Sequence, residues 1–301
     1  MRVFLGWIFF YALWMKIVHL FNLTVVTFFT ASSSAHLQDI ADTLNRLHSA
    51  VFAAFSFVCG ISLLRPWASD KNITLSFSEL KKHFLPSWLQ GAFLALGLVA
   101  GLLLSHKYQY LEFFTQLEST PEEAPLALAA ILTRAFVLLV FCYCETYFFF
   151  QKLKTCFSQE TSPWIQASCI ISAYCGIKYL QFDLGISQGI SLFCIAIALF
   201  LRSQIHTLKA SGFLTGILVV FHPLCSLPIL GNECSGLFFL QVAPWDTLTP
   251  WIRKCIGASE GPLSGWLFQV LIVFDIVKSF IPLKNNVKKE GTDHDSFHGS
   301  N

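Results

Sequence analysis

The sequence predicts an all-α, polytopic membrane protein of about eight transmembrane helices. Three observations predict it: scarce charge, apolar runs long enough to span a bilayer, and basic residues gathered on alternate joins. Only 13% of the 301 residues are charged and 54% are apolar, with a mean hydropathy of +0.60. Soluble domains carry about a quarter charged residues, so this balance points to lipid as the surrounding solvent. The net charge of +2 is too small to point to nucleic acid as a partner.

A spanning helix needs about 20 mainly apolar residues. The runs 3–29, 49–65, 87–105, 126–150, 163–181, 184–201, 211–231 and 264–283 meet or approach that length. The first imitates a signal peptide, with Arg2 ahead of its apolar stretch. It is longer than an h-region of about 7–15 residues, so it reads as an uncleaved first helix carrying Lys16 and His19. The run 49–65 is the shortest. Polar joins such as SSSAHLQDIADTLNR and SQETSP separate the runs. Residues 1–283 thus form one membrane domain, and the polar residues 284–301 are expected to be a disordered cytoplasmic tail.

The distribution of Lys and Arg sets the orientation. With the N-terminus inside, the inner segments hold Arg2, Arg65, Lys71, Lys81, Lys82, Lys152, Lys154, Arg202, Lys209, Lys284, Lys288 and Lys289. The outer segments hold Arg46, Lys107, Arg253 and Lys254, and residues 106–125 add Glu112, Glu118, Glu122 and Glu123. Eight spans with both termini in the cytoplasm satisfy this asymmetry, and the expected location is the plasma (inner) membrane. The two halves show no internal repeat, which disfavours transporter folds built from inverted repeats.

The ten cysteines are scattered, without a CxxC pair or the paired spacing of a metal finger, and most lie in apolar runs. Cys234 and Cys255 share a loop that would allow a disulfide in an oxidising compartment. No cofactor or metal is expected. His222 with Cys225 or Ser226 is a conceivable metal pair, but no second pair of ligands accompanies it.

Ionisable groups inside spanning helices cost several kcal/mol and are candidate functional residues. Those here are Lys16, His19, Arg134, Glu145, Lys178, His222, Asp275 and Lys278. Asp275 and Lys278, spaced i, i+3, are expected to neutralise each other on one helix; Lys16 and His19 share that spacing on the first helix and are likewise read as structural. Arg134 shares a face with Glu145 but stands about 16 Å from it, near the outer half of the helix. Glu145, Lys178 and His222 sit on three helices at depths of about 15, 22 and 16 Å, so they are able to converge. Pro223 should break or kink the helix beside His222, freeing backbone groups to line a cavity. From the residues alone, the three groups form either a site or a polar cluster that fixes helix packing.

The run LALAAILTRAFVLLVFCYCETYFFFQKL resembles the first signature helix of the CPBP family, the CAAX-protease and bacteriocin-processing intramembrane peptidases. Cys144 and Glu145 stand at the family's acid pair, and Phe149 and Phe150 stand where it has Arg-Gly. A shift by one, which makes Glu145 the first acid, fits as well. SAYCGIK resembles the second signature, with Tyr174 for its Phe and Lys178 for its His. LFLRSQIHTLKASGFLTGILVVFHPLCS resembles the third, with His222 retained and Ser226 in place of Asn. The resemblance covers about residues 126–231 and rests on order and spacing more than on identities.

The resemblance implies a CPBP-like bundle with Glu145, His222, Lys178 and Ser226, beside Cys144, at the catalytic positions. The family's acids and first His are thought to hold or activate water, and its second His and Asn to stabilise an oxyanion. Lys178 departs from that scheme, because an ammonium beside Glu145 favours an ion pair over a base. The expectation is therefore a non-catalytic or atypical relative that binds a membrane-embedded peptide or protein partner. An active endopeptidase using Glu145 and His222 is one alternative. A small proton-coupled carrier with Glu145, Lys178 and His222 along its pathway is the other.

Overall fold

The computed structural model describes residues 3–13, 77–113, 124–158, 160–182, 184–225, 227, 238–242, 248–257 and 261–293. The described chain is mainly helical. Its helices are α1 (Val3–Leu13), α2 (Phe77–Leu104), α3 (Ala124–Thr146), α4 (Pro163–Phe182), α5 (Ile186–Ile205), α6 (Thr207–Val219), α7 (Pro250–Ile256) and α8 (Trp266–Asp293). The run 49–65 lies outside the described residues. Each of the other seven apolar runs overlaps a described helix.

Among the described residues, three stretches, Leu80–Leu104, Ile186–Ile205 and Thr207–Leu224, are long and apolar enough to cross a membrane by length and composition. A small antiparallel ribbon adds to the expected all-α architecture. Strand β1 (Tyr108–Phe113) pairs with β2 (Phe238–Val242), with an irregular register between Tyr110 and Glu112. Both strands come from segments read as outer joins. The Tyr108 hydroxyl donates to the Ile256 carbonyl at 3.3 Å, tying the ribbon to α7. The helical backbone of α8 also continues past Leu283, where the disordered tail was expected to begin. Residues 284–290 include no glycine or proline, so an apolar helix already nucleated can propagate through them.

Helix ends follow local chemistry. The Leu80–Phe84 turn of α2 widens to π geometry just ahead of Pro86, whose ring excludes the regular hydrogen bond there. The Thr146 hydroxyl donates back to the Cys142 carbonyl at 2.7 Å, and α3 then passes into a π segment, Tyr147–Lys152, and a 3-10 turn, Leu153–Cys156. The Gln188 side chain accepts from the Gly185 N–H at 2.6 Å at the start of α5. At the start of α6, Nδ1 of His206 accepts from the Leu208 N–H at 3.2 Å. A second π turn, Val220–Leu224, follows α6 and contains Pro223, as the break expected there requires.

Helix α6 is the axis of the core. Phe213 and Ile217 on it, and Phe221 on the π turn that follows, are completely buried, and α2, α3 and α5 pack around it. The crossing of α2 over α6 is set by glycine. A Cβ on Gly212 would run into the Phe84 carbonyl, and one on Gly216 into the Trp88 carbonyl. Gly91 of α2 faces the Phe213 carbonyl in the same way. Small residues four apart let two backbones approach this closely, which is how helices associate when lipid removes the hydrophobic drive.

Candidate functional site

Glu145 lies one residue before the end of α3, and Lys178 lies in the last two turns of α4. The structure brings them together: Nζ of Lys178 and Oε1 of Glu145 form an ion pair. Glu145 keeps 1% of its surface and Lys178 keeps 5%, so the pair is sealed from solvent. Aromatic rings do the sealing. Lys178 Nζ stands 4.8 Å from the ring centre of Phe141 and 5.9 Å from that of Tyr174, adding two cation–π contacts to the carboxylate. Tyr174 meets Phe149 edge-on at 5.1 Å and Phe150 at 5.5 Å. Behind them Tyr11 of α1 stacks on Phe148 at 4.7 Å and meets Phe149 at 5.1 Å.

Phe149 and Phe150 stand where the resemblance places Arg-Gly, and both are fully buried beside the pair. The chemistry follows from the arrangement. The Lys178 ammonium competes with a proton for the Glu145 carboxylate, and both groups are buried among aromatic rings. The pair neutralises two charges that would each be costly alone.

No family model, curated protein or solved structure matches the chain.

The remaining predicted residues are distributed as follows. His222 is half-buried on the π turn after α6, a turn that packs against α3. Cys144 is a buried free thiol next to Glu145 in sequence. Ser226, Lys16, His19 and Cys234 lie outside the described residues, while Cys255 is a half-buried free thiol. Arg134 falls within α3. Among the described residues, no group of three or more His, Cys, Asp or Glu side chains is placed to hold a metal ion.

The expected Asp275–Lys278 pair is not the one that forms. Asp275 turns away from its helical neighbour and accepts from Nη2 of Arg202 on α5 at 2.6 Å. Its other oxygen accepts from the Gln90 amide of α2 at 2.7 Å. Lys278 is exposed. The Arg202 guanidinium lies 3.6 Å from the ring centre of Phe213 and donates from Nη1 to the Ala198 carbonyl at 3.3 Å. This network joins α2, α5 and α8 through hydrogen bonds to Asp275, and α6 through the Phe213 ring. The physical reason is geometric: a local i, i+3 pair would leave Arg202 buried and uncompensated, and the interhelical pair satisfies both charges.

The apolar run 184–201 stops one residue short of Arg202, so the sequence places Arg202 in an inner join. The helix continues to Ile205. A signal was present, since Ile195, Ala198, Leu199 and Arg202 follow the i, i+3, i+4, i+7 rhythm of one buried face.

Proposed function

We propose that this chain is an integral membrane protein of CPBP-like architecture in which the Glu145–Lys178 pair is a structural strut. Its function is then that of an atypical, non-catalytic relative that binds a membrane-embedded peptide or protein partner. The observation that carries this reading is the closed Glu145–Lys178 ion pair, walled by Phe141, Tyr174 and Phe149. A general base has to be free to take a proton, and an ion-paired carboxylate in an apolar wall is a poor one. The eight-span topology, with both termini in the cytoplasm of a plasma-membrane protein, belongs to the same proposal. The charge asymmetry and the three strongly apolar helices support it.

The test is direct. The full-length protein in detergent is incubated with membrane-embedded peptide substrates, and the products are resolved by mass spectrometry. The expected result is intact peptide for both the wild type and Glu145→Gln. Cleavage by the wild type that is lost in Glu145→Gln would overturn the strut and favour a working peptidase.

A further inference from the structure

We propose that the end of the bundle built from the Leu80–Phe84 turn, the Tyr147–Cys156 segment and the α5–α6 joint docks the headgroups of anionic phospholipids. Lys82, Lys209, His83 and His206 stand at its centre. The proposal rests on the reading of the apolar helices as membrane spans and adds a ligand class to it.

Three contacts bring the segments to one end. The rings of His83 and His206 stack at 4.4 Å and 7°. Lys154 donates to the Gln204 side chain at 2.8 Å, and the Thr207 hydroxyl donates to that of Gln151 at 3.3 Å. Five lysines from three distant stretches of sequence thereby converge: Lys81, Lys82 and Lys154 are exposed, and Lys152 and Lys209 half-buried. The acids that this end carries among the described residues are Glu79 and Glu160. Lys82, Lys209 and Glu79 are all within Coulombic range of His83. Nδ1 of His83 is shielded from water and has no hydrogen-bond partner among the described residues. Nδ1 of His206 already holds the first turn of α6. Around one aromatic stack there is thus an excess of positive charge and an unsatisfied polar atom.

The surroundings favour a lipid over a free anion. The basic residues border the strongly apolar stretches Leu80–Leu104, Ile186–Ile205 and Thr207–Leu224. Exposed apolar side chains begin at once, with Leu85 at 45%, Leu89 at 40% and Ile205 at 60% exposure. A ligand with a negative head and a hydrocarbon tail complements such an edge, whereas a small anion meets only its charged half. Basic residues at an anionic leaflet each contribute about 1 kcal/mol, or about fivefold in affinity.

The experiment titrates the full-length protein, in neutral detergent, with short-chain phosphatidylglycerol and follows tryptophan fluorescence. The expected result is saturable binding that Lys82→Gln/Lys209→Gln weakens by about 25-fold. Lys254→Gln, exposed on α7 at the opposite end, should leave it unchanged. Unaltered affinity in the double variant, or equal binding of phosphatidylcholine, would overturn the proposal. So would displacement of the lipid by inorganic phosphate at matched concentration, which would mark a small-anion site. Carbonate extraction of cell membranes separates this failure from that of the underlying reading. A chain released by carbonate overturns the membrane spans themselves. A chain retained, yet indifferent to the lysine changes, overturns only the docking surface.

Discussion

Arg202 and Asp275, on helices α5 and α8, meet through a 2.6 Å hydrogen bond in the interior of the bundle. Gln90 from α2 completes the second carboxylate oxygen, so one acid ties three helices together. Removing one partner of a buried pair costs about 3–5 kcal/mol, because the other charge stays behind uncompensated. Asp275→Ala should therefore lower the unfolding midpoint in detergent sharply, and Arg202→Met added to it should restore most of the loss. Equal midpoints for Asp275→Ala and the wild type would show that the pair carries no stability.

The Glu145–Lys178 strut obeys the same logic with a different readout. Glu145→Gln leaves Lys178 charged among Phe141 and Tyr174, at a cost of about 3–5 kcal/mol. Lys178→Met in the same chain removes that charge and should recover folding yield, measured by size-exclusion chromatography. A double variant no better than the single one would count against the strut.

The α2–α6 crossing depends on bare glycine backbone. Gly216→Val places methyl groups against the Trp88 carbonyl, so the helices must separate. Overpacking of this kind costs about 1–3 kcal/mol. Gly97 of α2 faces open space, and Gly97→Ala should be tolerated. Parallel thermal melts of the two variants check the contrast.

Tyr108 provides a pH test in the ribbon. Burial pushes its phenol well above the usual tyrosine value of 10.0. The raised value means the folded state prefers the neutral phenol. Its contribution is whole below pH 10.0 and is lost as the pH rises from there toward the folded value. Tyr108→Phe should thus show a shallower loss of stability above about pH 10 than the wild type. Denaturation curves taken across that range on both proteins decide it.

The sequence by itself determined the helical, apolar character of the chain and where most of its helices lie. It also showed which charges sit in apolar helices, Glu145, Lys178 and Asp275 among them. These are local properties, readable from composition and from a period of 3.6 residues. Helix breaks were legible for the same reason, as Pro223 shows. Tertiary structure decided the partners. Asp275 had an obvious neighbour in Lys278, three residues away, yet took Arg202, 73 positions distant. The Glu145–Lys178 pair was expected from the sequence, but the wall of rings around it follows no spacing rule. Partner choice depends on how each helix is rotated and how closely it approaches the next. Gly91, Gly212 and Gly216 set that approach for α2 and α6 through backbone contact, and only the packed bundle expresses it.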